Sequence, residues 1–211
     1  MPHAELHSLL QHPHIWRGNR TATAPPPQQQ AISSGFAALD AALPDGGWPQ
    51  GAITEILHIH HGLGELSLVI PAIAALNRHG AHAAWIAPPF LPYAPALHNR
   101  GLSLTHNLLI TPDNEADSLW ALEQTLRNGA CAAVLGWVSS PSTTQLRRLQ
   151  LAAESGATSA FLFRPRTAVR QASPAALRIA FSQEQQHYRL DIIKCRGRFF
   201  REPLFIPIPA R

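Results

Sequence analysis

The sequence predicts an α/β fold: a mostly parallel β-sheet flanked by helices, with antiparallel strands at its C-terminal edge. Three observations carry that prediction. Short apolar runs of strand length alternate with amphipathic helical patterns from Ile32 onward, the order that lays parallel strands beneath covering helices. Glycine punctuates the helical patterns, with Gly80, Gly129 and Gly156 each following one, where a left-handed C-terminal cap favours it. The last two apolar runs, Leu177–Ala180 and Tyr188–Cys195, are joined by a polar turn, which makes an antiparallel edge.

Each element follows from its local pattern. Residues 1–14 place Leu6, Leu9 and Leu10 on one side of a short helix, and residues 17–31 form a polar linker rich in Pro and Gln. A core is expected at 32–165, followed by basic strands and a tail at 166–211. The core opens with a short helix, Phe36–Leu43, and a turn, Pro44–Gly51. Strand-like runs follow at Ile53–Leu57, Ala83–Ala87, Leu108–Ile110, Ala132–Leu135 and Ala160–Phe163, with helical patterns at 65–79, 93–100, 115–128 and 143–155 between them. In the third pattern Ala116, Leu119, Leu122 and Leu126 recur at spacings of three and four, one apolar face. Leu146, Leu149 and Ala153 do the same in the fourth. Pro71 falls inside the 65–79 pattern and predicts a kink. The closing Pro203–Pro209 is apolar but broken by proline, so it packs as an extended segment or engages a partner.

With 211 residues, 45% hydrophobic and 14% charged, the chain can bury a sizeable core and is not disordered as a whole. Two cysteines, Cys131 and Cys195, make no disulfide framework, which points to a reducing compartment. Cys131 lies in an apolar run and reads as a core residue. No run approaches the roughly 18 apolar residues of a membrane span. His3–Leu10 lacks the basic start and long apolar stretch of a secretion signal. The expectation is a soluble, cytoplasmic protein with no membrane partner. Its formal net charge of +4 is unevenly spread: residues 1–165 hold eight arginines against ten acids, residues 166–211 nine basic residues against three acids.

The stretch HHGLGELS, residues 60–67, stands between a strand and a helix, where phosphate-binding loops are built. Such a loop surrounds phosphates with backbone N–H groups, neutralises charge with a lysine and holds Mg²⁺ with a hydroxyl. Gly62 and Gly64 suit the turn, but Glu65 follows where the lysine is needed, and a carboxylate repels a triphosphate. The only lysine in the chain is Lys194, far along the basic tail. The run Ala132–Leu135 ends in Gly136-Trp137, with no aspartate for magnesium, and the earlier run ends at Ala87-Pro88-Pro89-Phe90, with no carboxylate to activate water. Three chemical roles lack their residues, so no catalytic residue and no cofactor are expected.

The same residues carry a family resemblance. Ile32–Leu43, Gly46–Gly51 and Ile53–Ile56 are similar almost step for step to the recombinase RecA, and the similarity continues through Trp85-Ile86 and Gly101 to Leu108-Leu109. On that register Glu65, Pro89 and Gly136 fall where RecA carries its lysine, catalytic glutamate and magnesium aspartate. The second half resembles SulA, the damage-induced cell-division inhibitor, at Val134–Trp137, Phe161–Pro165, Arg170-Gln171 and Leu177–Ile179. The ImuA family combines both patterns, and the match spans residues 32–195. SulA itself lacks a clear version of Ile32–Gly51, which favours ImuA.

The resemblance to ImuA implies a degenerate RecA-like core and a non-catalytic accessory role in SOS-induced translesion synthesis and mutagenesis. It implies as partners ImuB, an inactive Y-family polymerase relative, a DnaE-type error-prone polymerase, and RecA. The resemblance to SulA implies an alternative, an inhibitor of cell division that binds FtsZ. A surviving ATPase that recruits a base from a partner is a third reading, opposed by the single distant lysine. Self-association is compatible with each.

Two further groups of residues bear on function. His58 and His60 share a face if the strand runs through them, and with His61 and Glu65 nearby they could ligate a metal. No second cluster completes a site, however, so the reading here is a solvated loop and no metal. Asp40 and Glu55 read as capping or hydrogen-bonding residues. In Phe163–Arg170, the arginines Arg164, Arg166 and Arg170 are expected on a loop that meets a protein partner or DNA phosphates. In Lys194–Arg201, Lys194, Arg196, Arg198, Phe199, Phe200 and Arg201 alternate charge with aromatic surface, which suits single-stranded DNA, a protein interface or plain solvent.

Overall fold

A computed structural model describes residues 31–208. Its strands are β1 (Ile53–His58), β2 (His82–Ile86), β3 (Asn107–Ile110), β4 (Cys131–Trp137), β5 (Ser159–Pro165), β6 (Leu177–Glu184), β7 (His187–Cys195) and β8 (Leu204–Pro207). Its α-helices are α1 (Ala37–Ala42), α2 (Ile70–Arg78), α3 (Ala94–Asn99), α4 (Glu115–Asn128) and α5 (Thr143–Gly156). All eight strands join one sheet in the order β3-β2-β4-β5-β1-β6-β7-β8. The strands from β3 to β6 pair parallel, and β6-β7-β8 close the sheet antiparallel. This is the expected α/β architecture. The helix expected within residues 1–14 and nearly all of the linker at 17–31 lie outside the described residues.

Burial explains the composition of the strands. β1 sits between β5 and β6 and is buried at every position, as a parallel strand covered on both faces must be. On one face Trp48, Ile56, Ile73, Trp85, Phe161 and Phe163 share a core with the N-terminal segment and α2. On the other, Ile53, Val134 and Leu162 pack against Leu122, Leu126, Leu146 and Leu149 of α4 and α5. Cys131 is buried in this second core, as its apolar setting predicts.

The two long helices carry local start signals. Asn114 caps α4 by accepting a bond from Asp117 N–H, and Ser142 and Gln145 form a reciprocal capping box at the head of α5; both satisfy amides that a helix leaves unpaired. Gly129 closes α4 in the left-handed conformation. Gly156 does not play that part. It is the last residue of α5, and Ala157 takes the left-handed cap with φ of 50°. Glycine is needed at 156 for space, since a Cβ there would lie 2.0 Å from Leu126 O on α4.

The expected helix over 65–79 divides into a short 3-10 turn, Glu65–Leu68, and α2. Pro71 therefore lies in the first turn of α2 rather than its interior, where its missing N–H costs no helical bond, and no kink is required. Residues 204–207, expected to be extended, form the outermost strand β8, and Ile206 is buried against the sheet. Pro203 and Pro207 flank it where edge positions tolerate the absent donor. No helix among the described residues is long and apolar enough to cross a membrane.

Candidate functional site

The parallel strands bring the loops after β1, β2, β4 and β5 to one end of the sheet, where open α/β sheets place their ligand sites. The loop after β1 carries the residues 60–67. Gly62 and Gly64 have φ of 83° and 95°, a conformation that favours glycine, and the chain turns there into the 3-10 segment. Glu65 is buried, and its Oε1 accepts a bond of 2.9 Å from the Gly62 N–H. A backbone donor of the kind that would hold phosphate is thus engaged by the chain's own carboxylate. Leu66 follows Glu65, so the adjoining position offers no hydroxyl. Tyr188 of β7 closes the other side, because a Cβ at Gly64 would lie 2.6 Å from its Oη.

The residues expected to have lost metal and base chemistry are also placed. Gly136 lies within β4, where a Cβ would come 2.5 Å from Leu122 Cδ2; buried α4 side chains fill the space a carboxylate would occupy. Pro89 is exposed in the bend after β2, beside Phe90, which is 71% exposed.

Of the histidines, His58 ends β1 and is buried, while His60 and His61 lie beyond the strand and are exposed. Strand alternation therefore does not govern them. The turn brings His58 together with His61, their ring centroids 4.5 Å apart, and with Glu65. The expectation of a solvated loop fails for His58 and Glu65. Burial, aided by His61, holds the His58 imidazole below the usual histidine range, against an upward pull from the Glu65 carboxylate and the His60 backbone.

The arginine-rich stretch is rearranged in a way that sequence reading missed. Arg164 is not on a loop: it lies in β5, fully buried, on the face of β5 that carries Leu162. Its Nη1 donates to Glu55 Oε1 at 2.8 Å and its Nη2 to Gln171 Oε1 at 2.8 Å. Arg178 of β6 donates through Nε to Glu55 Oε2 at 2.6 Å and through Nη2 to Ala168 O at 2.7 Å. Ser173 adds a third bond to Glu55, at 2.7 Å. This buried cluster ties the 166–176 segment to β1, so Arg164 meets neither a partner nor DNA. The available signal was Glu55 itself, an acid inside an otherwise apolar run. Arg166 pairs with Asp191 at 3.5 Å, and Arg170 is exposed on the short 3-10 turn.

The tail is divided in the same manner. Lys194 Nζ donates to Ser173 O at 2.8 Å, and its pKa is pushed down chiefly by burial, then by Arg178 and Arg196. Arg198 reaches back to donate to Ala41 O and Ala42 O at the end of α1, and lies 5.7 Å over the Phe200 ring. Arg196, Phe199 and Arg201 remain exposed, Phe199 completely.

One surface was not anticipated as a site. β3 is an edge strand, and its Leu108 and Leu109 are 52% and 43% exposed. They line a shallow apolar groove with Trp85, Pro92, Leu97 and Leu104. Leu91 and Tyr93 extend the exposed apolar surface in the adjoining loop.

The sequence of this chain matches the RecA N-terminal domain family over residues 21–143. The chain belongs to that family. Among curated proteins, the RecA-like chain is 30% identical over 142 residues to Protein ImuA of Caulobacter vibrioides, covering 65% of this chain and 56% of that protein. It is 29% identical over 121 residues to the cell division inhibitor SulA of Serratia proteamaculans, covering 56% of this chain and 71% of that one. It is 34% identical over 99 residues to Protein RecA of Bacillus thuringiensis, covering 47% of this chain and 29% of that one. The three resemblances read from the sequence are thus all found, and the chain spans little more than half the length of the ImuA proteins it matches.

Proposed function

We propose that this chain is a non-catalytic RecA-like accessory protein of SOS-induced translesion synthesis, an adaptor for an ImuB-like inactive polymerase, a DnaE-type polymerase and RecA. The observation that carries the reading is Glu65. Its carboxylate takes up the Gly62 N–H and places negative charge where a triphosphate needs a cation. The single lysine cannot compensate. Tyr188 touches the loop at Gly64, and Lys194 lies six residues further along β7, a separation of about 20 Å at strand rise. Loss of nucleotide chemistry leaves sheet and helices intact, and the scaffold serves as a docking body. The apolar edge at β3 supports docking, since exposed strand edges accept added chains.

The likeness to ImuA supports the mutagenesis role. The likeness to SulA, of which the chain covers 71%, supports a second reading, an inhibitor that binds FtsZ. Two experiments separate them. Under the adaptor reading the chain co-purifies with an ImuB-like protein, and a strain lacking it loses damage-induced mutagenesis. Normal induced mutagenesis in that strain, with filamentation when the protein is expressed alone, would replace the first reading by the second.

A further inference from the structure

We propose that His58, His61 and Glu65 form a binding site for one zinc-class divalent transition-metal ion at the end of β1. Each of the three offers a ligand atom, and these atoms all lie within 4.8 Å of one another. The spacing is local, with two residues between the histidines and three before the glutamate. Gly62 and Gly64, both at positive φ, let the loop wrap this tightly.

Two of these three ligand residues carry buried polar atoms that are left without partners. Among the described residues, five buried side-chain N or O atoms make no hydrogen bond, and three of them are His58 Nδ1, His58 Nε2 and Glu65 Oε2. Buried polar groups are otherwise paired, because burial strips the water that would satisfy them. One ring nitrogen of His58 and Glu65 Oε2 can both be taken up by a single ion placed between them and His61.

The donor chemistry selects the ion. Two imidazoles and one carboxylate suit zinc and its late first-row neighbours, whereas calcium and magnesium take oxygen ligands. The remaining carboxylate oxygen, Oε1, is held by the Gly62 N–H, the kind of outer contact that orients a ligand. Three protein ligands leave a fourth position, which falls to water because His61 is exposed. The ion would neutralise Glu65 and clamp the turn to the end of β1.

The test uses the untagged full-length chain, stripped of metal and titrated with Co²⁺ and then with competing Zn²⁺. One equivalent of Co²⁺ is expected to give a visible absorption band that Zn²⁺ displaces. His61→Ala and Glu65→Gln should each weaken binding by more than about 100-fold, beyond the loss caused by removing an outer partner. His61 is exposed, so its variant keeps the fold and carries the decision. His60→Ala and His82→Ala should bind as the unaltered chain does. Absence of the band, or equal affinity in His61→Ala, overturns the site; the first leaves the cluster to water and the second assigns the metal to other histidines.

Discussion

Glu55, fully buried, accepts three hydrogen bonds, from Arg164, Arg178 and Ser173. Its position among Ile53, Thr54, Ile56 and Leu57 is unfavourable for a charge unless partners arrive, and here two cations share it. Glu55→Gln would leave both guanidiniums in the interior without their counter-charge, and we expect a loss of about 3–5 kcal/mol in urea unfolding. A loss below 1 kcal/mol would mean that water reaches the cluster. At Glu65 the consequence is for binding rather than stability. Calorimetry with Mg-ATP should detect no association tighter than about 1 mM; micromolar, magnesium-dependent binding would restore the chain to the nucleotide-binding class.

The seam between α4 and α5 shows a contest between helix propensity and space. Alanine is favoured over glycine in a helix by about 1 kcal/mol, so Gly156→Ala ought to stabilise α5 if the helix stood alone. Its Cβ would instead meet Leu126 O at 2.0 Å, a backbone atom that cannot move aside cheaply. The expected outcome is a lower Tm in thermal unfolding, and a raised Tm would show that the helices separate freely. The two sheet edges differ in the same physical terms. Both are four residues long, but β8 has prolines at 203 and 207 that discourage pairing, whereas β3 presents leucines and no proline. Leu108→Lys should therefore weaken capture of an ImuB-like partner while leaving unfolding unchanged, because that side chain is 52% exposed. Undiminished capture would move the interface elsewhere.

Taken as a whole, one sheet with a buried central strand places the loops that follow its parallel strands at one end and the basic C-terminal strands at one edge. The concentration of charge in residues 166–211 does not survive as a continuous cationic face. Arg178 is buried, Arg166 and Arg189 pair with acids, and Lys194 and Arg198 bond to backbone carbonyls. Among the described residues, Arg170, Lys194, Arg196, Arg198 and Arg201 are exposed together with Phe199, a smaller cationic surface than the sequence suggests.

Periodicity was enough to place the strands up to β7, the two long helices and the start of the antiparallel edge, because those patterns record which residues must leave water. The mismatch at Glu65 was equally legible, since charge at a phosphate loop is a local property. What folding alone decided were the meetings of residues distant in the chain: Arg164 with Glu55, Gly156 with Leu126, Tyr188 with Gly64. The grouping of His58 with His61 rather than His60 belongs here too, as it depends on where β1 ends. Local pattern reports which side chains prefer the interior, but only the assembled sheet determines which of them share it.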